Sequence, residues 1–198
     1  TLAEVGVALC GTLDLPGLLS MMVRRGAAGV DAELGSIMLL DEASGLLRWE
    51  VAVDQDTAPL EHLTVPVGQG ISGSVAATGE SVLVADAQND PRWRGRFYDD
   101  ATGQTTRSIL CVPIRGRFGV IGVLQVLNKR SGSYTDADVA LLSSLAAMAS
   151  VAITHTKIIA DQKNFFSHVL ELLSISIEAT RPGMIGHPMR CARLACAI

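Results

Sequence analysis

The chain has 198 residues, 48% of them apolar and 18% charged, with a net charge of −4; this fits one folded core of ~100–150 residues plus extra elements and excludes a disordered polymer. The acidic balance argues against nucleic acid as the main partner, because phosphate-binding surfaces need a basic excess. No apolar run approaches the ~18–20 residues that cross a bilayer, no signal peptide is visible, and Cys10, Cys111, Cys191 and Cys196 lack disulfide or CxxC spacing, so a cytoplasmic protein with free thiols is expected.

In chain order, residues 15–31 read as an amphipathic helix, with Asp14 as its N-cap and Pro16 in its first turn. Ser36–Asp41 reads as a buried strand, and Leu46–Val53 returns beside it after the turn Glu42-Ala-Ser-Gly45. Leu63–Val67 is a short strand, Gly68-Gln-Gly70 opens a helix through Ala77, and Ser81–Val84 is another short strand. Ile109–Ile114 and Val120–Leu127 form a longer hairpin turning near Gly116. Hairpin-paired strands with helices before and after predict an α+β fold around an antiparallel sheet.

From Thr135 the pattern changes. Thr135-Asp-Ala-Asp caps a helix that meets no Gly or Pro before Pro182. Leu145, Met148, Ala152, His155, Ile159, Gln162, Phe166, Val169, Leu173 and Ser176 fall on a heptad, apolar throughout in its first series and polar three times in its second. The reading is a signalling helix, on the order of 60–65 Å long at ~1.5 Å per residue, that pairs with its copy in a parallel homodimer. The plainer alternative is a helix packed on its own sheet, followed by a second, shorter one.

One segment carries most of the functional signal. Phe97-Tyr-Asp-Asp-Ala-Thr-Gly-Gln-Thr-Thr-Arg-Ser-Ile-Leu-Cys-Val-Pro-Ile114 runs from an acidic loop rich in Thr and Gly into an apolar strand. Carboxylates, hydroxyls and backbone amides hung on a buried sheet suit a small polar ligand. With Asn128-Lys129, Tyr134 and Asp138, these residues make roughly 12–155 resemble a GAF domain of the phosphodiesterase and cyclase type. The resemblance implies a GAF-like central antiparallel sheet flanked by helices and no cofactor for this domain. It also implies a possible cyclic-nucleotide ligand, cAMP or cGMP. Carried over by position, Asp99, Thr102 and Thr106 hold the ligand from the lid segment, and Ser36 contacts its base. Ile71 and Ser72 start the helix that faces its phosphate, and Gln125 stands where some members place a purine-reading carboxylate. Lys129 and Asp138 form a structural lock that docks the exit helix. A helix start after Gly68-Gln-Gly70 suits an anion on its own account, since its first amides have no partner within the helix.

The pattern also departs from the family. Glu50-Val-Ala-Val53 lacks the aromatic–acidic pair that stacks on and reads a base, Gln104 replaces an aromatic, Tyr134 replaces Phe, and Val139 replaces the closing Glu. Asp, Thr and Gly are also ordinary turn formers, so a different small ligand, or a ligand-free dimerising module, stays open. Cys111 lies inside an apolar strand and reads as an inert core thiol, and His62 and His155 stand alone.

The tail Leu170–Ile198 resembles the opening of an HD-GYP or HD-type phosphohydrolase, with His187 and Arg190 matching a metal-ligand His and the Arg that follows it. Gly183 and Arg181 stand where three-metal members carry acidic residues. The expected organisation is therefore a GAF sensor (1–155), a linker helix (156–178) and the start of the output domain (179–198). The resemblance implies that a complete output domain would bind Fe or Mn and hydrolyse a cyclic dinucleotide such as cyclic di-GMP. The fragment itself lacks the His-Asp pair that such catalysis needs. A histidine-kinase output is an alternative, although Ser167-His168-Val-Leu-Glu-Leu-Leu lacks a phospho-acceptor pattern.

Overall fold

The computed structural model describes residues 14–53, 60 and 62–180. The chain forms two compact units, 1–154 and 155–198. In the first unit, helix α1 (Leu15–Gly29) precedes a hairpin of β1 (Ala32–Asp41) and β2 (Leu46–Val53), then β3 (Thr64–Pro66), helix α2 (Gly70–Thr78) and β4 (Val82–Val84). Helix α3 (Arg96–Thr102), the hairpin β5 (Ile109–Arg115) and β6 (Val120–Lys129), and helix α4 (Asp136–Thr180) follow. The six strands form one sheet in the order β3-β2-β1-β6-β5-β4, every neighbour antiparallel. The fold is α+β, as the sequence predicts.

Both faces of the sheet are covered, so its central strands read as near-continuous apolar runs. On one face α1 and the first half of α4 pack Leu19, Val23, Leu142 and Ala149 against Ile37, Val112, Leu124 and Val126. On the other, Ile71 and Val75 of α2 and Tyr98 of α3 pack against Met38, Cys111, Val123 and Leu127. The Asp14 carboxylate accepts from Gly17 N and caps α1. Thr135 and Asp138 cap α4 reciprocally: Thr135 N donates to Asp138 Oδ2 at 2.8 Å, and Asp138 N donates to Thr135 Oγ1 at 3.4 Å. Gly73 lets α2 press onto β3, because a Cβ there would collide with the Pro66 carbonyl.

Three local readings change. β1 begins at Ala32, four residues before Ser36, because Ala32 and Leu34 also pair with β6. The segment read as an open lid loop contains a helix, α3, closed by Gly103 in the left-handed conformation (φ 68°). The third concerns β2, where Met38 pairs with Trp49 and Ile37 with Val51, leaving Glu50 as a bulge. The bulge reverses side-chain parity within the strand: Leu47 and Trp49 lie on the α2 face, whereas Val51 and Val53 lie on the α1 face.

α4 continues past residue 154 as far as Thr180. Leu145, Met148 and Ala152, assigned by the heptad reading to an intermolecular seam, pack into the core of the first unit instead. Within residues 155–180, Ile158, Ile159, Phe165, Phe166 and Leu172 are exposed. A window inside Asp136–Val169 is long and apolar enough by composition to cross a membrane, which the linear reading passed over. Its inward side chains in the first unit, Leu142, Ala146, Ala149 and Ala152, are core residues, which is how a core helix passes the same test.

Candidate ligand-binding site

The sheet, α2 and α3 enclose a cavity on the α2 face. Its volume is about 90 Å³, below the ~300–1,000 Å³ span of sites that bury a drug-sized ligand. Its walls are largely apolar. The bulge at Glu50 presents Trp49, whose ring stacks on that of Tyr98 at 5.9 Å and 12° between planes. Trp93, Ile109 and Leu127 complete this surface. The stacked pair offers a planar ligand an aromatic face.

The polar groups converge from two elements. Gln125, on β6, is 6% exposed; its Nε2 donates to Ser36 Oγ at 3.0 Å and its Oε1 accepts from Ser72 Oγ at 2.8 Å. Its amide is thereby fixed in the cavity floor, with one N–H and one lone pair left for other partners. The first turn of α2, Gly70 to Ser72, forms another wall, and the N-cap residue Gln69 makes no side-chain capping bond. Among the described residues, Arg94 is the one charged side chain on the lining. Its Nη1 donates to the carbonyls of Pro91 and Trp93, which holds the guanidinium at the rim. A helix N-terminus and an arginine on the lining favour an anion.

Of the residues assigned from sequence, Ile71, Ser72 and Gln125 line this cavity and Ser36 stands behind Gln125. Asp99, Thr102 and Thr106 are not on its lining. They bind one another and the backbone: Asp99 accepts from Thr106 Oγ1 at 2.7 Å, from Thr106 N at 3.1 Å and from Gln88 Nε2 at 3.1 Å, and Thr102 Oγ1 donates to the Tyr98 carbonyl. These residues hold the lid segment in shape. Asn128 anchors the same segment to the sheet. With φ at 59°, it accepts from Arg107 N at 2.7 Å and donates to the Thr105 carbonyl at 3.0 Å.

Lys129 and Asp138 meet at 2.9 Å with side chains 12% and 14% exposed. Burial raises the Asp138 carboxyl, but the hydrogen bonds from Lys129 and Thr135 outweigh it and hold the pKa below the usual 3.8. Burial pushes the Cys111 thiol far up, as befits a core residue. Sequence reasoning missed Trp49, Trp93, Arg94 and Tyr98. Trp49, Trp93 and Tyr98 group on one face of the sheet, and Trp49 is placed there only once the bulge is known. Among the described residues no group of three or more His, Cys, Asp or Glu side chains could hold a metal ion. His187 lies outside the described residues.

The family model for the GAF domain matches residues 12–154. A probable 3',5'-cyclic phosphodiesterase pde-5 of Caenorhabditis elegans is 34% identical over 139 residues, 65% of this chain and 19% of that protein. The dual 3',5'-cyclic-AMP and -GMP phosphodiesterase 11A of Takifugu rubripes is 35% identical over 117 residues, 58% of this chain and 13% of that protein. The chain thus spans less than a fifth of the length of these relatives. Among solved structures, the GAF domain of a phosphoenolpyruvate-protein phosphotransferase from Coxiella burnetii superposes with a TM-score of 0.70 at 20% identity, covering 81% of this chain and 94% of that one. Six antiparallel strands flanked by helices, a roofed cavity and a family match over most of the chain lead to one assignment: the protein belongs to the GAF domain family.

Proposed function

We propose that the first unit senses a small anionic molecule with a planar ring, and that a cyclic purine nucleotide, cAMP or cGMP, is the ligand. The observation that carries this reading is the cavity itself. One wall is the stacked Trp49–Tyr98 pair, the floor presents the fixed amide of Gln125, and the rim holds Arg94 and the first turn of α2. The relatives that share about a third of their aligned residues are named as cyclic-nucleotide phosphodiesterases, which favours the nucleotide over other anions. A bound ligand shifts the population of states by no more than its differential affinity for them.

The output reading goes further. The exposed Ile158, Ile159, Phe165, Phe166 and Leu172 of α4 support pairing with a second copy. The tail with His187 and Arg190 supports an HD-GYP-type cyclic di-GMP phosphodiesterase that acquires Fe or Mn in its complete domain. Sequence beyond Ile198 carrying a His-Asp pair supports that output, and its absence removes it. Replacing Phe165 and Phe166 together by Glu converts dimer to monomer in sedimentation if α4 pairs.

Thermal unfolding tests the ligand. At a hundredfold excess over Kd, bound nucleotide adds about 2.7 kcal/mol, and Trp49→Ala or Gln125→Leu abolishes the shift. No shift with millimolar cAMP or cGMP rejects the nucleotide. The second reading, a ligand-free dimerising module, is favoured by the mutual satisfaction of Asp99 and Thr106. It predicts that Trp49→Ala leaves assembly and output unchanged.

A further inference from the structure

The cavity and α4 lie on opposite faces of the sheet, yet a single residue is held from both sides. Ile71 and Ser72 in the first turn of α2 line the cavity. α2 is nine residues long and is capped after Thr78 by Gly79, in the left-handed conformation with a φ of 72°. The Gly79 carbonyl accepts from Arg115 Nη2 at 2.5 Å, and a Cβ added at Gly79 would stand 3.1 Å from Arg115 Nη1. A cation on the terminal carbonyl of a helix is favourable both as a cap and against the helix dipole. The main-chain carbonyl of the same Arg115 accepts from Ser150 Oγ of α4 at 2.6 Å, and Ser150 is 7% exposed. Arg115 is the last residue of β5, next to an irregularity in its pairing with β6. Its backbone there is less constrained by the ladder than that of its neighbours.

We propose that Arg115 couples the cavity helix α2 to the exit helix α4, with its guanidinium gripping α2 and its carbonyl gripping Ser150. Apolar packing of α4 on the sheet is non-directional and tolerates small slides of the helix. A hydrogen bond of 2.6 Å does not, because its strength falls steeply with distance and angle. α4 is hydrogen-bonded to the strands at Asp138 and at Ser150, and Ser150 lies four residues before the end of the first unit at Thr154. A displacement of α2 by whatever fills the cavity therefore reaches α4 through Gly79, Arg115 and Ser150. The proposal requires no particular ligand, and a failed nucleotide titration does not bear on it.

The test perturbs the cavity without a ligand and reads α4 by hydrogen exchange. Ser72→Ala removes the bond to Gln125 at the start of α2. Its effect on the opening equilibrium of amides 146–154 is measured in four backgrounds: unaltered, Arg115→Met, Arg115→Lys and Ser150→Ala. Independent sites combine to within about a factor of two. The expected result is a rise of about threefold or more with Ser72→Ala in the unaltered chain, no rise in Arg115→Met or Ser150→Ala, and a restored rise in Arg115→Lys. In the reverse direction, Ser150→Ala raises exchange in the last turn of α2. The same multiplicative effect of Ser72→Ala in all backgrounds, or none in the unaltered chain, overturns the proposal. If Arg115→Met fails to fold, the milder Ser150→Ala completes the cycle alone.

Discussion

Lys129 Nζ stands 2.9 Å from Asp138 Oδ2 and 2.9 Å from the Val30 carbonyl, while the ring of Tyr134 lies 5.3 Å below the ammonium. One cation thus joins the end of β6, the loop after α1 and the first turn of α4. A pair exposed to only 12% and 14% lies between the surface bridges worth ~0–1 kcal/mol and the buried pairs whose breakage costs ~3–5 kcal/mol.

Lys129→Met should therefore destabilise the protein by about 2 kcal/mol, measured by denaturant unfolding. The acid limb gives a second readout. The folded pKa of Asp138 is depressed, so its contribution is complete above the usual value of 3.8 and is lost as pH falls through the lower folded value. Asp138→Asn should lose stability at neutral pH and show a shallower decline below pH 3.8 than the unaltered chain.

Tyr134→Phe should be neutral or stabilising by up to about 1 kcal/mol. The Tyr134 hydroxyl is buried without a hydrogen bond of good geometry. Burial drives the phenol pKa far up and outweighs the opposing influence of Ser108 and of the Lys129 backbone. Removing an unpaired buried hydroxyl removes its desolvation penalty and keeps the ring beneath Lys129. A loss above 1 kcal/mol in chemical denaturation would show that the hydroxyl has a partner in solution.

Asn128→Ala should cost about 2–3 kcal/mol, two hydrogen bonds plus the strain of alanine at a φ of 59°. Asn128→Gly relieves the strain but not the bonds, so it should fall between. Hydrogen exchange at Thr105 to Arg107 should accelerate in both variants. Unchanged protection there would mean that Asp99 and Thr106 alone hold the lid segment.

Gly73→Ala should destabilise by about 1–3 kcal/mol, the usual range for overpacking, because the methyl meets the Pro66 carbonyl and not a flexible side chain. α2 must then lift from β3, and the cavity wall moves with it. A crystal structure of the variant with α2 in place would contradict this.

Much of the fold was legible because its determinants are local. Asp14 before Leu-Pro, Thr135 three residues before Asp138, and the apolar runs of β5 and β6 each mark an element without tertiary knowledge. The site was legible only in part. Ile71 and Ser72 follow from a helix start, and Gln125 is a polar residue inside an apolar strand. Trp49 was hidden because strand parity counted through Glu50 gives the wrong face for one half of β2. Asp99 and Thr106 have the chemistry of ligand groups, but their partners lie seven residues apart in the same segment, a closure that composition does not reveal. The heptad of α4 blends two environments: a series that continues past residue 154 begins on side chains already committed to the core.

The extra residue in β2 has a genetic corollary. Glu50 is exposed and faces no partner across the ladder to β1. Dropping it joins Trp49 directly to Val51 with each still turned to its present side, so a one-codon deletion at this position should leave the aromatic wall intact, whereas deleting Arg48 instead puts Glu50 in the place of Trp49 on the cavity face.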